Sequence, residues 1–121
     1  MGYMVHHAIL VTSWDGTKLK NARAKALEIF SKHNDTARAI RFSGLVSPIM
    51  KGTSNGEDSF FIAPDGSKAG WDTSNDGDSA RDEFVAYLHT QVYEDGSSAL
   101  RWAEVQYGDD EGNDRVLRSS K

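Results

Sequence analysis

The sequence predicts an α+β sandwich in which an antiparallel sheet carries two helices on one face. Three observations lead there. Strand-like apolar runs open the chain, recur at Phe60-Phe61-Ile62 and return as an alternating segment near its end. Segments with helical spacing follow the first of these runs and the second. Ser54-Asn55-Gly56 lies between the two middle strands, and its Asn and Gly tolerate the positive φ of a tight hairpin turn.

Each element has its own warrant. In Tyr3–Ser13, Val5, His7, Ile9 and Val11 point to one face and Met4, His6, Ala8 and Leu10 to the other. Both faces are largely apolar, as in a central strand. Trp14-Asp15-Gly16 ends it. A helix over about 17–33 puts Leu19, Ala22, Ala26, Phe30 and His33 on one stripe, with Asp15 or Thr17 as the N-terminal cap and Asn34 as the stop. Residues 35–44 hold a helical turn, around Ala37 and Ile40, that Gly44 closes. Leu45–Lys51 reads as a short edge strand, because Pro48 has no donor for a ladder. Asp58–Ala63 is the return strand and is expected in the sheet centre.

Pro64-Asp65-Gly66-Ser67 is a second turn, with 68–71 as a small hairpin arm. A polar loop over 72–78 leads into a helix from Asp78 or Ser79 to about Tyr93. Asp82 stands at capping-box spacing from Ser79, and Ala80, Phe84 and Leu88 share the buried stripe. Leu100–Tyr107 alternates as a strand, Gly108–Asp114 is an acidic turn, and 115–121 is a tail or a short extra strand. The order β-α-β-β-α-β, with small hairpin additions, folds most economically as a ferredoxin-like sandwich. Residues 1–121 form a single domain with an ordered core over about 3–110.

Composition narrows the function classes. The 121 residues contain no cysteine, which excludes disulfides, thiolate catalysis and thiolate metal sites. No apolar run approaches the roughly 20 residues of a membrane span, and the N-terminus lacks the basic flank of a secretory signal, so the expected location is cytoplasmic. The net charge is −4 and unevenly spread. Up to Gly52 there are eight Lys or Arg against three Asp or Glu; from Thr53 there are six against fifteen. The acidic second half argues against nucleic acid, because phosphate contact needs a net basic face.

Candidate chemistry is sparse. Asp72, Ser74, Asp76 and Glu83 fall at positions one, three, five and twelve of a calcium loop, with Gly77 at six. Ser74 replaces the usual acid or amide, and Pro64, Gly66 and Gly70 remove the incoming helix, so a helix entry is the better reading and no metal or other cofactor is expected. His6 and His7 are adjacent on a strand and point to opposite faces. No serine sits in a nucleophile elbow, and Asp65–Gly70 lacks Walker spacing. Trp14, Trp71, Trp102 and Tyr107 lie at strand ends or on an outer strand, where Trp and Tyr act as interface anchors.

Three stretches, SFFIAPDGSKAGWD, the GDSARDEF helix start and WAEVQYGDD, together resemble a group of small proteins of unassigned role encoded by tailed bacteriophages and prophages. The likeness covers Val5 to about Asp110. It implies a small accessory protein, made in the host cell, that binds a host protein or a defence component. The first expectation from the residues is a non-enzymatic binding protein that pairs as a homodimer and engages its partner through an exposed sheet edge and the 64–72 arm. No site residue is carried over. On the residues themselves, the contact set for that partner is Lys68, Trp71, Trp14 and Tyr107. Alternatively Lys68 and Ser67 hold the phosphate of a nucleotide or another small anion, with Trp71 stacking. A calcium-stabilised module is the third reading.

Overall fold

The computed structural model describes residues 4–109 and 111–120. Tyr3, Asp110 and Lys121, placed by sequence in the first strand, the acidic turn and the last segment, lie outside the described residues. The chain runs β1 (His6–Ser13), α1 (Gly16–Phe30), α2 (Thr36–Ser43), β2 (Asp58–Ile62), α3 (Asp72–Thr90), β3 (Arg101–Tyr107) and β4 (Arg115–Ser119). The fold is α+β: among the described residues there are three helices and a four-stranded sheet of order β2-β1-β3-β4, antiparallel at every pairing.

One face of the sheet and the helices make the core. Ile9 and Val11 of β1, Phe60 and Ile62 of β2 and Trp102 of β3 pack against Leu19, Ala22, Ala26, Ile29 and Phe30 of α1 and Phe84, Val85 and Leu88 of α3. Trp102, expected at an outer position, is therefore core, and its indole meets His89 edge-on at 5.1 Å. Asp15 caps α1 as expected, accepting the Lys18 N–H at 3.1 Å. Asp35 does the same for α2, accepting from Ala37 and Arg38 N–H. α2 is thus a full helix, and it turns Phe42 into the core.

Three expectations are corrected. Leu45–Lys51 is not a continuous strand: among the described residues it makes two isolated bridges, Val46 to Ile62 and Met50 to Ser59. The break falls at Pro48, where the ladder loses its donor. Beside it the Ser47 hydroxyl accepts the Phe61 N–H, and the Ser47 carbonyl accepts from Arg23 of α1 at 2.7 Å. β2 consequently forms one edge of the four-stranded sheet rather than its centre. The expected polar loop 72–78 is instead the first part of α3, which starts six residues early. The hairpin turn does form, with Asn55 and Gly56 at φ 60° and 65°.

Two outcomes check this account. Phe84→Ala should lower the unfolding free energy by about 3–5 kcal/mol in urea denaturation, whereas Leu10→Ala, on the other side of the sheet, should change it by under about 0.5 kcal/mol. The Arg38 N–H, with help from that of Ala37, holds the Asp35 carboxyl below its ordinary 3.8. A depressed folded value stabilises the protein above the unfolded pKa and stops doing so as pH falls through the folded one. The α2 amides should therefore lose hydrogen-exchange protection below about pH 4, and Asp35→Asn, which caps without ionising, should remove that acid step.

Candidate functional site

The core runs out at the end of the sheet where β1 begins, and polar side chains take over. Glu104 lies on the core-facing side of β3, two residues beyond Trp102, and its side chain is only 3% exposed. A carboxylate there requires hydrogen-bonded or charged partners. Arg118 of β4, directly opposite in register, supplies one: its Nε donates to Glu104 at 2.6 Å and its second nitrogen reaches Asp82 at 3.0 Å. Those contacts, Glu104 first, hold the Arg118 guanidinium above its usual range.

Arg81 of α3, 6% exposed at its side chain, supplies the other. Its Nε lies 3.7 Å from Glu104, and its two terminal nitrogens reach Asp78 at 2.5 Å and Asp65 at 3.5 Å. Asp65 comes from the Pro64–Ser67 turn, where it accepts the Ser67 N–H at 2.8 Å and the Ser67 hydroxyl. It approaches the helix at Gly77, where any Cβ would collide with the Asp65 carboxylate and crowd the Arg81 guanidinium. That close approach explains a glycine in the interior of α3, where it costs about 1 kcal/mol against Ala.

A cleft of about 250 Å³ opens beside this cluster, walled by His7, Asp65, Ser67, Ser74, Asp78 and Gln106, with Arg81 at its base. A second hollow of about 380 Å³ shares His7, Asp78 and Arg81 and extends toward Arg118. His7 projects to the same side as Ile9 and stands in the wall between them. Its Nδ1 lies 3.8 Å from Asp78, beyond hydrogen-bond reach, and its Nε2 is buried with no hydrogen-bond partner among the described residues.

The residues singled out by sequence divide between places. Ser67 is in the cleft wall, but its hydroxyl is engaged by Asp65, so an anion there would meet a carboxylate. Lys68 and Trp71 lie together on the arm. Trp71 is 53% exposed and the Lys68 ammonium sits 5.9 Å from its ring centroid. Lys68 also bridges back to Met4. Tyr107 is at the same end of the sheet, its ring 5.5 Å from His6. Trp14 is exposed too, but it follows the far end of β1, about 25 Å away by strand rise.

Asp72, Ser74, Asp76 and Glu83 do not form the loop that calcium coordination requires, because all four lie within α3. Asp76 pairs with Arg38 at 2.6 Å and His33 at 3.3 Å, Glu83 pairs with Lys32, and Ser74 faces the cleft. Among the described residues no three ligating side chains converge as a metal needs. Sequence reasoning missed Arg81 and Asp65. The available signal was Glu104, a charge at a core-facing strand position.

The opposite face of the sheet is a second surface. Residues paired across strands share a face, so Leu10 stands with Phe61 and Ala103, Val105 with Ala8 and Val116, and His6 with Tyr107. Leu10 is 49% exposed and Val116 58%. The core cluster draws its strand residues from the other side, so this apolar face is uncovered. Arg101, opposite Thr12, is the charged residue that its strand register places here.

Removing one member of the buried cluster leaves its partners charged and unpaired. Arg81→Met should therefore cost about 3–5 kcal/mol in urea denaturation. Gly77→Ala should also destabilise, against its gain in helix propensity, because it displaces Asp65. No protein-family model, curated protein or solved structure matches the chain.

Proposed function

We propose that the chain is a non-enzymatic binding protein that engages a folded protein partner through the uncovered face of its sheet, with the Trp71 arm and Tyr107 at the rim. One observation carries this reading: the face is apolar and poor in charge on a molecule that is otherwise strongly charged. A half-solvated antiparallel sheet ordinarily alternates apolar-in and polar-out. Exposed contiguous apolar surface rimmed by polar groups marks an interaction site, and depletion of charge is the signature of an interface centre.

The size of the face indicates its occupant. Strands about 4.8 Å apart and at most eight residues long span roughly 15 by 25 Å. That is about half of the 800 Å² per side that stable complexes bury. A stable complex needs more area than the face alone offers, so we read the occupant as a folded partner that also reaches the Trp71 arm and Tyr107 at the rim. The phage-type accessory role, in the cytoplasm of an infected cell and directed at a host or defence component, fits a small protein built around one binding surface. The bridges from Val46 and Met50 support reading 45–51 as a reduced second strand. On that reading the architecture is a ferredoxin-like sandwich with α2 and β4 added.

Leu10→Lys with Val116→Lys changes two exposed side chains and should leave thermal stability unchanged within about 0.5 kcal/mol. Used as bait in host lysate, the double variant should retain a tenth or less of the protein captured by the wild type. Equal capture by both sinks the face as the site. A concentration-dependent dimer in light scattering that the double variant abolishes would replace the foreign partner with a second copy.

A further inference from the structure

The uncovered face of the sheet reaches past the ends of its strands. Met4 forms an antiparallel bridge with Lys68, and residues bridged in this way share a face. Val5, Ser67 and Ala69 line the cleft on the helix side, so Met4 and Lys68, which alternate with them, stand on the other side. The Lys68 ammonium lies 5.9 Å from the exposed Trp71 ring. Met4, 41% exposed, and Trp71 thus extend the apolar face of Leu10, Tyr107 and Val116 at the end where β1 begins. At the far end Arg101 stands opposite Thr12.

Charge on this face has one sign. Among the described residues, the positions paired across the four strands present no Asp or Glu here. Its cations are Arg101 and Lys68, and neither pairs with a carboxylate among the described residues. Asp109 and Asp114, just beyond Tyr107, accept from donors of their own turn. A protein of net charge −4 therefore carries an apolar strip with a cation at each end. Eight residues of strand separate Thr12 from Met4, which puts the two cations about 27 Å apart along it.

We propose, resting on the reading of this face as a partner site, that its occupant is an amphipathic helix of the partner protein, about 18 residues long, with a carboxylate toward each end of its apolar stripe. An apolar sheet face is closed by a helix or by another sheet. The sheet that a second copy offers carries the same two cations and no carboxylate at its paired positions, so stacking two copies leaves both ends uncompensated. A helix about 10–12 Å across and about 27 Å long covers the central strands from Arg101 to Lys68. Carboxylates at its ends meet the two cations at the rim, where charge complementarity fixes register and rejects basic partners more than it adds affinity.

The test uses the protein alone and two capped helical peptides of about 18 residues. Both carry Leu at i, i+3, i+4 spacing on an Ala and Gln background, one with Glu at its two ends and the other with Lys. Each is titrated to about 1 mM with amide NMR as the readout. The Glu-ended peptide should shift the Leu10, Val105 and Val116 amides saturably, and the Lys-ended peptide should bind at least tenfold more weakly. Arg101→Glu with Lys68→Glu, at side chains outside the core, should reverse that order. The wild-type comparison stands whether or not this double variant folds. Equal affinities, a tighter Lys-ended peptide, or an unchanged order in a folded double variant overturns the inference. Absence of saturable shifts with either peptide overturns it too, and so does a uridylate octamer that binds the same amides more tightly, which assigns the face to RNA. The underlying reading fails separately, if Leu10→Lys with Val116→Lys captures as much protein as the wild type.

Discussion

Glu104 places a carboxylate where an antiparallel sheet would ordinarily present another apolar side chain to its helices, and the architecture at that end follows from satisfying it. Desolvating a carboxylate costs several kcal/mol, which only close, well-oriented donors offset. Arg118 brings β4 alongside β3, and Arg81 fixes the rotation of α3 about its axis. Asp65 then ties the β2–α3 connection to the same guanidinium. Four consecutive pieces of chain are thereby cross-linked through two arginines. A buried ionic cluster of this kind is weak as a source of net stability, since apolar replacements of similar volume often match it. Its consequence here is geometric: it specifies one register and leaves a polar cleft in place of a closed core.

The two faces of the sheet therefore differ in kind. The helix side is closed by aromatic and aliphatic packing around Phe30, Phe60 and Phe84 and ends in the charged cluster. The other side carries apolar groups with nothing described above them. The cleft and the uncovered face lie back to back at the β1 start, where His7 and His6 point to opposite sides. One short stretch of strand thus serves two surfaces with separate chemistries, one charged and concave, the other apolar and flat.

The strands were legible because alternation at His6–Ser13 and Arg101–Tyr107 and the aromatic run Phe60–Ile62 are read residue by residue. Helix α1 was legible from its apolar stripe. The start of α3 was not. Asp72–Asp78 has two features of a loop, a glycine and a run of short polar side chains, and intrinsic propensity favours a later start. The segment is helical because its acids find partners: Asp76 meets Arg38 of α2 and the His33 imidazole, and Asp78 meets Arg81 one turn along the same helix. Asp72 adds a carboxylate at the positive end of the helix dipole. Pairing between separate elements also hides the cleft from sequence inspection, since Asp65, Arg81, Glu104 and Arg118 show no common spacing.

What the sequence determined by itself was local: an α+β chain with a sheet, its main helices, the Asp15 cap, the Asn55–Gly56 turn and the absence of thiol chemistry. These rest on periodicity and on backbone preferences of single residues, which need no knowledge of what lies across the fold. Tertiary structure decided the strand order, the reduction of 45–51 to two bridges, the early start of α3 and the identity of the polar site. Those outcomes depend on desolvation and on pairing between residues distant in sequence, as in Arg38 and Asp76, 38 positions apart. Whether a buried charge finds its partner is settled only when the chain has closed around it.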